Sequence, residues 1–285
     1  MITELDYILL KKYTIYDYQN LNLRKIMAPE ISQAVNQFIP KIASNHNLED
    51  EVKLKNDGYV IFNNFFSQEE CETIKNNLIE QGGYNTHVPV YSDRVLRKFS
   101  PDYPFNTLSY PPTALLNIPL ILKKITDPTI LSLAQSYLDS FPTLYSLNSW
   151  WHIYKNQVYR TQNNHRDHDD FRHLALFIYL TDVDETNGPH VFYPKTQDGS
   201  ESNNSITITG KAGTAILADT FATHRGQPLE QGTRLVCWWR YGSHLNNMHF
   251  HDGNDNFKIS KETLFDIIPQ TLHNQYMFRA FYEIN

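Results

Sequence analysis

From residue 143 onward the chain breaks into short β-type runs, at 144–154, 174–183, 190–193, 205–209, 213–219 and 234–241, divided by Gly- and Asn-bearing turns. Runs of this length, rich in Val, Ile, Thr and aromatic residues, read as strands. Consecutive runs are not separated by helix-length patterns, so alternating β-α-β units around a parallel sheet are disfavoured. An antiparallel sandwich or barrel is the expected core.

The preceding half reads differently. The segment Gly58-Tyr-Val-Ile-Phe is a short strand, and Ser67 with Glu70 three residues on forms a capping box. The helix it opens should run through Cys71, Ile74 and Leu78 to a stop at Gly82-Gly83. Residues 84–112 show no clear period but carry Tyr91, Phe99, Tyr103, Phe105 and Tyr110, which argue for an ordered functional loop. Residues 113–140 read as two short helices divided at Asp127-Pro128, and 19–38 as a helix broken at Pro29. A last helix over 261–272 and the aromatic residues Tyr276, Phe278, Phe281 and Tyr282 are expected to pack back on the core. Two units result. Residues 1–50 are an extension, helical and packed on the core. Residues 51–285 are one domain: a strand–helix unit and lid loop over 51–142, a barrel core over 143–245, and a C-terminal helix and tail over 246–285.

Composition narrows the function classes. The 18 Tyr, 16 Phe and 4 Trp supply enough apolar surface to fold most of the length. The formal charge of −6 makes neither nucleic acid nor an anionic membrane the default partner. The longest unbroken apolar run, Leu174 to Leu180, is far shorter than the roughly 18 residues of a spanning helix. The start, Met-Ile-Thr-Glu-Leu-Asp, has no secretory apolar segment, and two cysteines (Cys71 and Cys237) make no disulfide framework. A cytoplasmic, reduced protein is expected.

Nine of the 12 histidines fall between His152 and His251, so a metal site is sought there. The block His165-Arg-Asp167-His168-Asp-Asp170 holds two overlapping His-x-Asp pairs. On an extended segment residues i and i+2 share a face, so either pair can offer one imidazole and one carboxylate to one ion. His224, 59 residues after His165 and following the run 214–219, is the best third ligand. Two histidines and a carboxylate, with open positions left, suit non-haem Fe(II) that handles O2. Arg234 follows His224 by ten residues. If the two sit on neighbouring antiparallel strands, its guanidinium can lie below the metal and take a small dicarboxylate in bidentate fashion.

These segments resemble a known family. His165-Arg-Asp167, Phe177-Ile-Tyr-Leu-Thr-Asp-Val183, Asn187-Gly-Pro189, Gly213-Thr-Ala-Ile-Leu-Ala-Asp219, His224-Arg-Gly226 and Arg234, in that order, resemble the phytanoyl-CoA dioxygenase-like branch of Fe(II)/2-oxoglutarate-dependent oxygenases. The opening strand and helix of 58–70 resemble the family's N-terminal unit, so the likeness spans roughly residues 55–245. It implies an α+β protein with a double-stranded β-helix (jelly-roll) core and flanking helices. It implies an enzyme that uses Fe(II), 2-oxoglutarate and O2 to hydroxylate a small-molecule substrate, releasing succinate and CO2. By the same resemblance His165, Asp167 and His224 are the catalytic iron ligands, chosen over His168/Asp170 because they register best with the Phe177 strand. Arg234 would hold the distal carboxylate of 2-oxoglutarate, with Phe177 and Tyr179 beside it. Some relatives carry a hydroxyl residue two places after the distal histidine, where this chain has Gly226. Halogenating relatives replace the carboxylate by a small residue, and Asp167 argues against that outcome.

Tyr91, Arg94, Arg97, Trp150 and His152 are positioned in sequence to line a substrate mouth. His244, His249 and His251 read as surface or packing groups, and His173 and His190 as hydrogen-bonded strand residues. Two rival classes remain. The doublet His168-Asp169 resembles that of all-helical metal-dependent phosphohydrolases, and a catalytically silent barrel could serve as a binding protein.

Overall fold

The computed structural model describes residues 13–85, 96–156, 162–242, 261–268, 270 and 277–278. Among the described residues nine strands form two antiparallel sheets. They are β1 (Tyr59–Phe62), β2 (Thr107–Tyr110), β3 (Thr143–Ile153), β4 (His173–Tyr179), β5 (His190–Phe192), β6 (Ile206–Ile208), β7 (Ala215–Ala218), β8 (His224–Gly226) and β9 (Thr233–Gly242). The large sheet has the order β1-β7-β4-β9-β3-β2, and the small one β6-β5-β8. Together they make the jelly-roll core, and helices cover the outer face of the large sheet.

Pleating decides which residues face the inside. In the large sheet Trp238 of β9 pairs with Asn148 of β3 and Phe177 of β4, and Arg234 pairs with His152. Because alternate residues share a face, Arg234, Val236, Trp238 and Arg240 point to the concave side. So do Ala175, Phe177 and Tyr179 of β4 and Ser146, Asn148, Trp150 and His152 of β3. The concave cluster holds Phe177, Tyr179, Ile216, Val236 and Trp238 against Phe192 and Ile208 of the small sheet. The intervening Leu235, Cys237, Trp239 and Tyr241 face outward into a second cluster with the helices. Burying both faces explains why β4 reads as a continuous apolar run rather than as an alternation.

Helices α1 (Ile15–Gln19), α2 (Leu21–Phe38) and α3 (Leu48–Asp57) precede the first strand, and α4 (Gln68–Gln81) follows it. Ser67 and Glu70 cap α4 reciprocally as expected, and Gly82 ends it at φ 76°. The outer core takes Ile31 and Val35 of α2, Leu54 of α3 and Leu78 of α4. Among the described residues no helix is long and apolar enough to cross a membrane.

Several expectations need correction. Helix α2 runs unbroken through Pro29; packing of Ala28, Ile31 and Val35 on the core outweighs the hydrogen bond that proline removes. Residues 113–140 hold three helices, α5 (Pro112–Leu116), α6 (Pro119–Ile125) and α7 (Pro128–Leu138), each with proline at its first position. Part of 84–112 is regular, because β2 pairs with β3 at the sheet edge. The C-terminal helix α8 is described over Lys261–Ile267, and Phe278 is buried in the outer core. Leu272, Tyr276, Phe281 and Tyr282 lie outside the described residues.

One glycine is required by the fold. Gly213 sits at φ 92°, and a β-carbon there would lie 2.0 Å from the Phe66 carbonyl oxygen. Its own carbonyl accepts the Phe65 N–H at 2.8 Å, so the loop before α4 and the turn into β7 touch backbone to backbone. Gly213→Ala is expected to cost on the order of 3 kcal/mol through positive-φ strain and displaced backbone. Urea unfolding of the two proteins measures it.

Candidate metal centre

The sequence folds three separated side chains onto one spot. His165 and His224 pair as an isolated antiparallel bridge, with N–H to carbonyl bonds of 3.0 Å in both directions. Two residues on, Asp167 N–H donates to the Thr220 carbonyl at 2.8 Å. These backbone bonds hold the segments that carry the three residues side by side. His165 Nε2 lies 3.7 Å from Asp167 Oδ1, and His224 Nε2 lies 3.7 Å from Asp167 Oδ2. Ligand atoms of the three residues lie within 4.8 Å of one another. Donors about 2 Å from a shared ion stand roughly 3–4 Å apart, so the arrangement fits a metal.

The imidazole tautomers fit as well. His165 Nδ1 lies 2.8 Å from the Asn163 carbonyl, and His224 Nδ1 lies 3.0 Å from that of Ala222. A carbonyl only accepts, so each Nδ1 carries the proton and each Nε2 keeps its lone pair toward the cluster. Such outer bonds orient ligating histidines and raise their basicity. Burial pushes the His224 imidazole below its ordinary value, against the pull of Asp167. Burial alone would raise the Asp167 carboxyl. Arg240, then His224 and His165, outweigh it and hold the group well below the usual carboxylate range.

Arg240 was missed in the sequence. Its Nη2 donates to Asp167 Oδ2 at 2.8 Å and its Nη1 to Asp169 Oδ2, while the guanidinium lies 4.3 Å from the Trp238 ring centroid. The available signal was an arginine six residues after Arg234 on one strand, an even spacing that places both on the concave face. Asp167, Asp169 and His173 form a second group of close ligand atoms. It shares Asp167 with the first, and Asp169 is already bonded to Arg240.

Arg234 is 2% exposed. The condition that His224 and Arg234 sit on neighbouring strands is not met. His224 lies on β8 of the small sheet and Arg234 on β9 of the large one, so the guanidinium reaches across the barrel. It meets the small sheet at Gly226, where a β-carbon would stand 3.7 Å from Nη2. Arg234 Nε and Nη1 are buried and find no hydrogen-bond partner among the described residues. Burial draws its pKa down to about 10, which leaves it charged at neutral pH. A buried cation with idle donors calls for an anion.

The other expected residues divide. Phe177 lies 4.5 Å from His190 and 6.2 Å from Trp238, ring to ring, on the concave face. The Tyr179 hydroxyl donates to the Ile208 carbonyl at 2.8 Å and meets His190 Nδ1 at 3.0 Å. Burial raises Tyr179 to about 12, and burial first, then Arg234, drives His190 well below its ordinary value. Trp150 Nε1 reaches His152 Nε2 at 2.8 Å, and His152 Nδ1 lies 2.7 Å from Arg234 Nη2. Arg97 is exposed and pairs with Gly83 through its backbone. Tyr91 and Arg94, like His244, His249 and His251, lie outside the described residues.

The phosphohydrolase alternative fails on geometry. His168 packs its ring 5.6 Å from that of Phe221, and burial, then Arg24, lowers its pKa to about 4. Its neighbour Asp169 is bonded to Arg240, and the surroundings are strands rather than helices.

A jelly-roll barrel with two imidazoles, one carboxylate and a buried arginine on its concave side has the donor set that suits non-haem iron. Residues 54–243 match the family model for phytanoyl-CoA dioxygenase, and the chain belongs to that family. Among solved structures, the non-haem α-ketoglutarate-dependent carbocyclase SnoK from nogalamycin biosynthesis shares the fold, with a TM-score of 0.51 at 15% identity over 69% of this chain and 84% of its own. The epimerase SnoN, also from nogalamycin biosynthesis, gives 0.49 at 15% identity over 68% and 82%. HygX from Streptomyces hygroscopicus, solved with nickel and 2-oxoglutarate bound, gives 0.46 at 14% identity over 70% and 87%. No curated protein matches this chain in sequence.

Proposed function

We propose that this chain is an Fe(II)- and 2-oxoglutarate-dependent oxygenase that uses O2 to hydroxylate a C–H bond of a small-molecule metabolite. The observation that carries the reading is the convergence of His165, Asp167 and His224, together with a buried Arg234 that reaches across the barrel from the other sheet and whose Nε and Nη1 lack partners among the described residues. Family membership supports it. By the same reading residues 51–285 act as one oxygenase domain.

His165 and His224 would hold the iron through Nε2, and Asp167 through a carboxylate oxygen. Iron with 2-oxoglutarate and O2 supplies the oxidising chemistry, with succinate and CO2 as co-products. This chain's residues do the rest. Arg240 keeps Asp167 ionised and fixes its rotamer. Arg234 grips the distal carboxylate of the co-substrate, with Phe177 and Tyr179 as its apolar and polar walls. Trp150 and Trp238, in edge-to-face contact at 5.5 Å, make a dry flank that excludes water from the reacting carbon. The proposed substrate lies against that flank and His152.

Anaerobic addition of Fe(II) and 2-oxoglutarate is expected to produce a weak visible charge-transfer band, and a matched metabolite to stimulate succinate release. A protein that gives no band is the silent barrel instead. A band with no metabolite-stimulated succinate release would remove the hydroxylase assignment for the compounds screened.

A further inference from the structure

The family match begins at residue 54, yet a side chain well before it reaches the metal-binding loops. Arg24 lies on the first turn of α2, whose N-cap Asn20 accepts the N–H groups of Asn22 and Leu23. It is 8% exposed. Its Nη1 donates to the Tyr18 carbonyl at 3.1 Å and to the Asp170 carbonyl at 2.7 Å. Its guanidinium carbon stands 3.5 Å from the centroid of the Phe221 ring.

Both contacts fall on the ligand-bearing segments, one on each. Asp170 follows Asp167 by three residues, and Phe221 precedes His224 by three. Backbone bonds between His165 and His224 and from Asp167 to Thr220 close one end of this pair of segments. Arg24 closes the other end, gripping one segment by a carbonyl and the other by an aromatic face. The grip is reinforced on both sides. Arg166 Nη1 donates to the Phe221 carbonyl at 2.8 Å. Tyr13 and Tyr18 pack their rings 4.8 and 4.9 Å from Phe171, next to Asp170. Asp219 Oδ1 accepts the Phe221 N–H at 2.8 Å, and Tyr137 donates to Asp219 Oδ2 at 2.5 Å.

A guanidinium is a costly group to bury if its only task is to fill space, since a methionine would do so without desolvating a charge. Its planar fork does what methionine cannot: it stacks on one segment while hydrogen-bonding the other. We infer that Arg24 is a positioning residue for the metal centre, setting the spacing between the Asp167 and His224 segments, and that the N-terminal helix α2 is thereby part of that centre. This rests on the oxygenase reading above.

Cobalt(II), titrated anaerobically into full-length protein and followed by its visible d–d bands, tests it without catalysis. Wild type is expected to bind. Arg24→Met is expected to raise the dissociation constant about tenfold, the scale on which groups behind metal ligands act. Arg24→Lys keeps a donor for Asp170 but loses the flat stack on Phe221, and should fall between. Ser67→Ala, which removes the α4 cap remote in sequence from the site, is a control for general destabilisation and should leave affinity unchanged. Wild-type affinity in folded Arg24→Met overturns the inference while leaving the oxygenase reading intact. Failure of wild type to bind cobalt overturns that reading itself. If near-UV circular dichroism shows Arg24→Met unfolded, Arg24→Lys decides: an intermediate affinity supports the positioning role, and an unchanged one refutes it.

Discussion

Replacing His224 by alanine is expected to lower metal affinity by at least about 100-fold and to abolish succinate formation with or without substrate. His224 is 6% exposed, so no side chain can swing in from solvent to take its place. Its Nδ1 bond to Ala222 fixes the ring, which makes Nε2 a preorganised ligand. The affinity of such a site comes from all three donors meeting one ion, and outer-shell changes alone cost 10–100-fold. Loss of a donor should exceed that. The backbone bridge to His165 uses no side-chain atom, so the apo variant should still fold. Metal content after dialysis, with an unfolding curve of the apo protein, separates the two effects. Retention of wild-type metal content and turnover would remove the site assignment.

The three side chains that the structure brings together were legible because their signals are local. A His-x-Asp on extended backbone and a histidine after a strand need no knowledge of topology. The capping box of α4 and its glycine stop are equally local. The short β-branched and aromatic runs placed seven of the nine described strands at or near their ranges, because each must bury one or both faces. What failed depends on long-range partners. Whether His224 and Arg234 share a sheet stayed open in the sequence, since sheet membership is set by the whole barrel and not by a ten-residue spacing; they lie in different sheets. Strand β2 was hidden because Thr107–Tyr110 is a four-residue edge strand recruited by β3. Pro29 stopped a helix in the sequence but not in the fold, where the buried face of α2 prevails. Arg240 and Arg24 were invisible for a related reason. An arginine announces its charge, but the carboxylate that Arg240 meets lies 73 residues away and the Asp170 carbonyl that Arg24 meets lies 146 away.

Arg234→Leu should leave the metal centre and fold intact and raise the 2-oxoglutarate requirement by about two orders of magnitude. Hydrogen bonds to a charged group contribute roughly 1.5–3 kcal/mol each, and a bidentate grip makes two. At about 1.4 kcal/mol per tenfold, a loss of that size predicts at least a 100-fold rise in KM for 2-oxoglutarate, with kcat at saturation less affected. The surroundings argue that this guanidinium awaits an anion. Trp150 Nε1 can only donate, and it faces His152 Nε2. Arg234 Nη2 can also only donate, and it faces His152 Nδ1. A neutral imidazole has a single acceptor nitrogen, so His152 cannot satisfy both, and a carboxylate oxygen shared by Arg234 and His152 Nδ1–H removes the conflict. The apo variant should be no less stable than wild type, because leucine replaces a buried cation whose Nε and Nη1 are unpaired among the described residues. Succinate yield against 2-oxoglutarate concentration, together with the thermal shift that 2-oxoglutarate induces in each protein, tests both halves. An unchanged 2-oxoglutarate dependence would mean that another group holds the distal carboxylate.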